Sequence, residues 1–109
     1  TLPKRLPDAE NVYHLFPILV KGDGQLAIGD RRDQLQAYLA ENGVGTIIHY
    51  PIPPHLQECY ANHPSLQGRV GERLVTEFLA NAELSLPISP TMSLSQAEEV
   101  VRLINEWKG

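Results

Sequence analysis

Four histidines and one cysteine are the side chains here best suited to bind a metal or attack a substrate, and three of these five are evenly spaced. His55, Cys59 and His63 stand four residues apart, which on one continuous helix would align three soft ligands along a stripe. Pro64 follows directly and Asn62 interrupts the turn, so the helix is expected to end before His63 joins the row, and no second cysteine supplies a further ligand. No metal site is expected. Cys59 with His55 could pair a nucleophile with its base, but an i, i+4 pair seldom presents both groups to one substrate, and no third residue orients the histidine. Cys59 reads instead as a buried structural thiol. Gly22, Gly24 and Gly29 are not followed by the Lys-Ser or Lys-Thr pair of a phosphate-cradling loop. No residue of this chain is expected to be catalytic.

The remaining constellation is His49-Tyr50-Pro51-Ile52-Pro53-Pro54-His55-Leu56-Gln57. Here donors and acceptors sit in a segment stiffened by three prolines at the end of a predicted strand, and stiff loops lose little entropy when they meet a ligand. It reads either as a recognition loop or as a structural turn with solvated histidines.

These residues need elements to hold them. Residues 12–20 (VYHLFPILV) are β-branched and aromatic, and Val12, His14, Phe16, Ile18 and Val20 would share one face at period two. Pro17 lacks a ladder donor, which places it at a sheet edge or a bulge. Asp30 and Asp33 signal a helix start, Leu35, Tyr38 and Leu39 recur at helical spacing, and Gly43 provides a stop, giving a helix over 31–42. Residues 44–49 predict a second strand, and Pro54 suits the first position of a short helical turn. Val70, Leu74, Phe78 and Ala82, flanked by Val75 and Leu79, form an apolar stripe on a helix over 71–81. Residues 84–86 give a third strand. Ser95 and Glu98 read as a capping box before a last helix that carries Val100, Val101, Ile104 and Trp107. The order β-α-β-α-β-α implies an α/β (α+β) fold, a two-layer sandwich with helices on a small, mostly antiparallel sheet. His14 reads as a hydrogen-bonded structural residue, and Arg32 and Asp33 as helix-start electrostatics.

Composition narrows the function. With 109 residues there is room for one domain. Hydrophobic residues make up 42% and charged residues 20%, the profile of a chain that folds. The net charge of -4 and the absence of a basic tract exclude a nucleic-acid binder. No apolar run suits a membrane span or signal peptide. A lone cysteine excludes a disulfide framework and fits a reducing, cytoplasmic setting.

Tyr13-His14-Leu15-Phe16, Arg32-Asp33-Gln34-Leu35, Gly43-Val44-Gly45-Thr46, the His49 to Gln57 loop and Leu84-Ser85-Leu86-Pro87 stand in an order and spacing that resembles the C-terminal small domain of the DegT/StrS family. The resemblance covers nearly the whole chain and is most specific at His-Tyr-Pro. It implies the aspartate aminotransferase fold and transfer of an amino group, usually from glutamate, to the keto group of a nucleotide-linked sugar, in polysaccharide or aminosugar biosynthesis. Pyridoxal phosphate is the implied cofactor, acting as an electron sink, and in that family its lysine and most of its contacts belong to the large N-terminal domain. Lys4, Lys21 and Lys108 do not stand where the family has that lysine. The resemblance therefore implies residues 1–109 as one domain of a longer, homodimeric enzyme, inactive alone, with no cofactor-binding residues of its own. Its sugar-nucleotide contacts fall on His49, Tyr50 and His55. The competing expectation is a free-standing module that binds a small ligand or a protein without chemistry.

Overall fold

The computed structural model describes residues 1–22, 28–60, 62–64 and 74–109. Strand β1, Phe16–Leu19, pairs antiparallel with β2, Glu83–Leu86, in a register that sets Phe16 against Leu86 and Leu19 against Glu83. Alternation divides the residues of both strands between two faces. Phe16, Ile18, Leu84 and Leu86 turn to the core, while Pro17, Leu19, Glu83 and Ser85 turn to a groove on the other side. The Val20 amide donates to the Ala82 carbonyl, so even-numbered amides of β1 face β2. Pro17 therefore points its missing N–H at the outer edge, as the edge reading requires. Along that edge Thr1 and Leu19 exchange two hydrogen bonds, which tie the N-terminus down.

Helix α1, Ile28–Glu41, starts three residues earlier than its charges suggest, because Asp30 lies inside the first turn rather than before it. Its end follows the sequence. Gly43 takes φ +77°, its amide donates to Ala40, and the Val44 amide donates to Leu39. That is a Schellman closure, with Val44 and Leu39 both in the core beneath it. Helix α2, Leu74–Ala82, runs straight into β2 with no intervening residue. The rest of its expected span, residues 71–73, lies outside the described residues, as does Val70 of the stripe. Among the described side chains of the expected apolar stripe, Val75, Phe78 and Leu79 are exposed and Ala82 is buried. Helix α3, Leu94–Glu106, is capped by Ser93 and Gln96 in a reciprocal box, not by Ser95 and Glu98. The same S-x-x-[E/Q] pattern fits two residues earlier, and there the side chains reach the orphan amides. Val100 and Leu103 of α3 are buried with Ile104 and Trp107 beside them, whereas Val101 faces out.

The result is a small two-layer α/β domain, with α1 and α3 covering one face of the sheet. The predicted strand over 44–49 shrinks to a single bridge. Ile47 and Ser85 exchange backbone hydrogen bonds on the open side of β2. In an antiparallel ladder the next bonded pair would be 49 with 83, but side chains take both of its places. The His49 amide donates to the Glu83 carboxylate, and the Glu83 carbonyl accepts from Arg32.

Candidate functional site

Arg32 is the residue that makes this exchange, and it sits on α1 in line with Leu35 and Leu39, all three buried. A helix that passes directly into a strand leaves last-turn carbonyls without helical partners. The Arg32 guanidinium supplies them: one nitrogen donates to Ala80 O at 3.0 Å and Glu83 O at 3.3 Å, and Nε pairs with Asp33. Arg32 thus ties α1 to the α2–β2 junction, which corrects its reading as helix-start electrostatics.

That junction positions Glu83. Its side chain is buried, 7% exposed, and each carboxylate oxygen accepts a hydrogen bond. Oε2 lies 2.6 Å from the His49 amide, and Oε1 lies 2.6 Å from the Ser85 hydroxyl, which donates to it. Ser85 Oγ is in turn 2.9 Å from His49 Nδ1. Glu83, Ser85 and His49 form one continuous chain of hydrogen bonds running from the buried strand to the wall of a groove of about 660 Å³. The lining of the groove is mostly apolar, from Pro17 and Leu19 of β1, Leu79 of α2 and Ile52 and Pro53 of the loop. Few polar groups in an apolar cleft is the usual make-up of a small-molecule site.

The sequence-predicted residues divide. His49 and Tyr50 both line the groove, with Tyr50 73% exposed at its rim and the two rings edge to face, 5.5 Å apart. Gln57 also lines it. His55 is held elsewhere. It is buried in the turn Pro54–Leu56, and its Nε2 lies 3.0 Å from Glu77 Oε1 on α2, so it pins the proline-rich loop to that helix. His14, read as a structural residue, is exposed and lines the groove. Cys59 is exposed, not buried. It belongs to a second turn, Glu58–Tyr60, separate from that of His55, so no continuous helix aligns the predicted ligand row. Among the described residues no three His, Cys, Asp or Glu side chains gather as a metal site would require. Sequence reading missed Glu83 and the roles of Ser85 and Arg32. Their signal was polar residues at period two on an otherwise apolar strand, and an arginine in register with a core stripe.

Pyridoxal phosphate needs a lysine amine for its covalent attachment. Lys4, Lys21 and Lys108 are all exposed and none lines the groove.

Residues 1–105 match the DegT/DnrJ/EryC1/StrS aminotransferase family. The chain is 38% identical over 97% of its length to a dTDP-3-amino-3,6-dideoxy-alpha-D-galactopyranose transaminase of Aneurinibacillus thermoaerophilus. It is 35% identical over 97% of its length to a dTDP-3-amino-3,4,6-trideoxy-alpha-D-glucose transaminase of Streptomyces venezuelae. A 3-oxo-glucose-6-phosphate:glutamate aminotransferase of Bacillus subtilis (strain 168) is 33% identical over 84% of the chain and is matched over 19% of its own length. The chain spans about a quarter, 25%, of the length of each of the first two relatives. With a match over nearly all its residues, the chain belongs to the DegT/DnrJ/EryC1/StrS aminotransferase family.

Proposed function

We propose that residues 1–109 are the small C-terminal domain of a nucleotide-sugar aminotransferase, and that the groove is the wall its sugar-nucleotide substrate meets. The enzyme moves an amino group from glutamate to a keto sugar nucleotide, as a cytoplasmic homodimer whose remaining residues hold pyridoxal phosphate. The observation that carries this is the pairing of His49 and Tyr50 on an apolar groove, with His49 secured from behind by buried Glu83 and Ser85. A sugar offers hydroxyls to the ring nitrogen and a weakly apolar face to Tyr50. His55 serves the same site by holding the loop against α2. Further support comes from exposed Val75, Phe78, Leu79 and Tyr60, apolar surface suited to packing on more protein. No helix among the described residues is long and apolar enough to cross a membrane.

In the enzyme that contains this chain, His49→Ala removes one hydrogen bond to substrate. The KM for the sugar nucleotide should rise roughly tenfold, with that for the amino donor little changed. Equal rises in both constants would refute the assignment. The chain alone, titrated with micromolar pyridoxal phosphate, should show no saturable one-to-one imine absorption band, and such a band, lost on replacing Lys4, Lys21 or Lys108, would refute the absence of cofactor-binding residues.

A further inference from the structure

We infer that Glu83 and Ser85 are positioning residues that fix the protonation pattern of the His49 ring and so determine which ligand group it can recognise. The inference follows from counting protons. An ionised carboxylate has none to give, so the hydrogen between Glu83 and Ser85 comes from the Ser85 hydroxyl. A hydroxyl carries a single hydrogen. Once it is committed to Glu83, Ser85 Oγ can only accept from His49, and the 2.9 Å contact requires a proton on Nδ1. In the neutral ring Nε2 is then a lone-pair acceptor, on the ring edge away from Ser85. No partner occupies that nitrogen among the described residues.

The burial of Glu83 and Ser85, 7% and 5% exposed, keeps water from supplying a competing donor. The second carboxylate oxygen is held by the His49 amide, so the anion cannot turn away from Ser85 without losing a bond to the same residue it orients. A solvated neutral histidine side chain favours the opposite tautomer, with the proton on Nε2. The groove is thereby given an acceptor where an unsupported histidine would present a donor. Resting on the reading of this groove as the sugar-nucleotide site, the substrate group matched to it is a hydroxyl that donates, on the sugar ring, rather than a carbonyl or ether oxygen that can only accept.

Long-range proton–nitrogen correlation on the chain labelled in its histidines, above the pH at which the rings are neutral, reads the tautomer directly. The His49 signal, assigned by its loss in His49→Gln, should show a pyrrole-type Nδ1 and a pyridine-type Nε2. Ser85→Ala should relax it toward the Nε2-protonated form. Glu83→Gln should invert it. The new amide keeps both contacts only by giving its oxygen to the His49 amide and its NH2 to Ser85, which frees the hydroxyl hydrogen for Nδ1. A wild-type ring protonated on Nε2 overturns the proposal without any variant, and a tautomer unmoved in both Ser85→Ala and Glu83→Gln overturns the roles of those residues. In the enzyme, Glu83→Gln should raise the sugar-nucleotide KM roughly as much as His49→Ala although the ring remains. An inverted ring with an unchanged KM would overturn the acceptor role. If instead the spectra hold and His49→Ala leaves the sugar-nucleotide KM unchanged, the site reading fails and the proton assignment stands.

Discussion

Replacing Arg32 by methionine tests whether one buried guanidinium holds the helix-to-strand junction on which the site is built. Methionine keeps most of the aliphatic stem and its packing beside Leu35, and removes only the donors. Two carbonyls, Ala80 O and Glu83 O, then lose their partner at 3.0 and 3.3 Å in a place water enters poorly. An orphaned buried acceptor costs about 1–3 kcal/mol. The longer contact belongs at the low end of that range, so the sum is about 3 kcal/mol. The third bond, to Asp33, adds little because the carboxylate is 61% exposed and screened by water. With a urea slope of about 1.5 kcal/mol/M for a domain of this size, the unfolding midpoint of Arg32→Met should fall by about 2 M. Asp33→Asn should move it by less than about 0.5 M. Both are read by circular dichroism in urea. If Arg32→Met unfolds within about 0.3 M of the parent, or Asp33→Asn costs as much as it does, the junction is held by something other than these two bonds.

The other predictions concern the elements around that junction. Ser93→Ala should lower stability by about 1 kcal/mol through loss of the cap, and Ser95→Ala by much less, since the box belongs to Ser93 and Gln96; equal losses in urea titrations would return the cap to Ser95. Leu39→Ala, at a fully buried position under the Schellman closure, should cost 2–5 kcal/mol, about what a core cavity costs, and a loss below about 1 kcal/mol would show that the core collapses into the gap. On the exposed face of α3, hydrogen bonds from Arg102 hold the Glu99 carboxyl below the usual glutamate range. A group lowered in the folded state contributes stability above its unfolded pKa and loses that contribution as pH falls through the folded value. Carbonyl-carbon NMR should therefore find Glu99 titrating below the other glutamates and returning to their range in Arg102→Met, and an unmoved midpoint would rule out the pairing in solution.

Much of this architecture was readable because it rests on local rules. Period two in residues 16–20 put Phe16, Ile18 and Val20 on one face, Gly43 marked the end of α1, and the proline at position 17 announced the sheet edge. The misreadings at the site share a cause, since each depends on a partner distant in sequence. The strand over 44–49 stops at Ile47 because residue 83 offers a carboxylate to the next amide and residue 32 takes the carbonyl. No pattern inside 44–49 carries that information. Arg32 reads as helix-start electrostatics because nothing in its own segment shows the Ala80 carbonyl that it reaches on α2. His49 and Tyr50 were legible from the stiffness of their loop, whereas Ser85 read only as part of a short strand and Glu83 stood just outside it, with no local sign that either meets His49. The stripe on α2 was found, but periodicity shows that residues share a face and not what covers it.

The exchange at positions 49 and 83 explains why these observations belong together. A backbone pair there would have satisfied the same amide and carbonyl at no cost in side chains, and would have carried the second strand on past His49. Using Glu83 Oε2 and Arg32 instead keeps both groups bonded. It also frees the chain to leave the sheet, so that the His49 ring is held by Ser85 at the groove wall and the proline-rich loop crosses the mouth to His55 and Glu77. The site is therefore an interrupted ladder. Its floor is the same strand whose other face supplies Leu84 and Leu86 to the core, and substitutions that shift β2 by a fraction of an ångström, Leu84→Ala among them, should disturb His49 although they touch no groove residue.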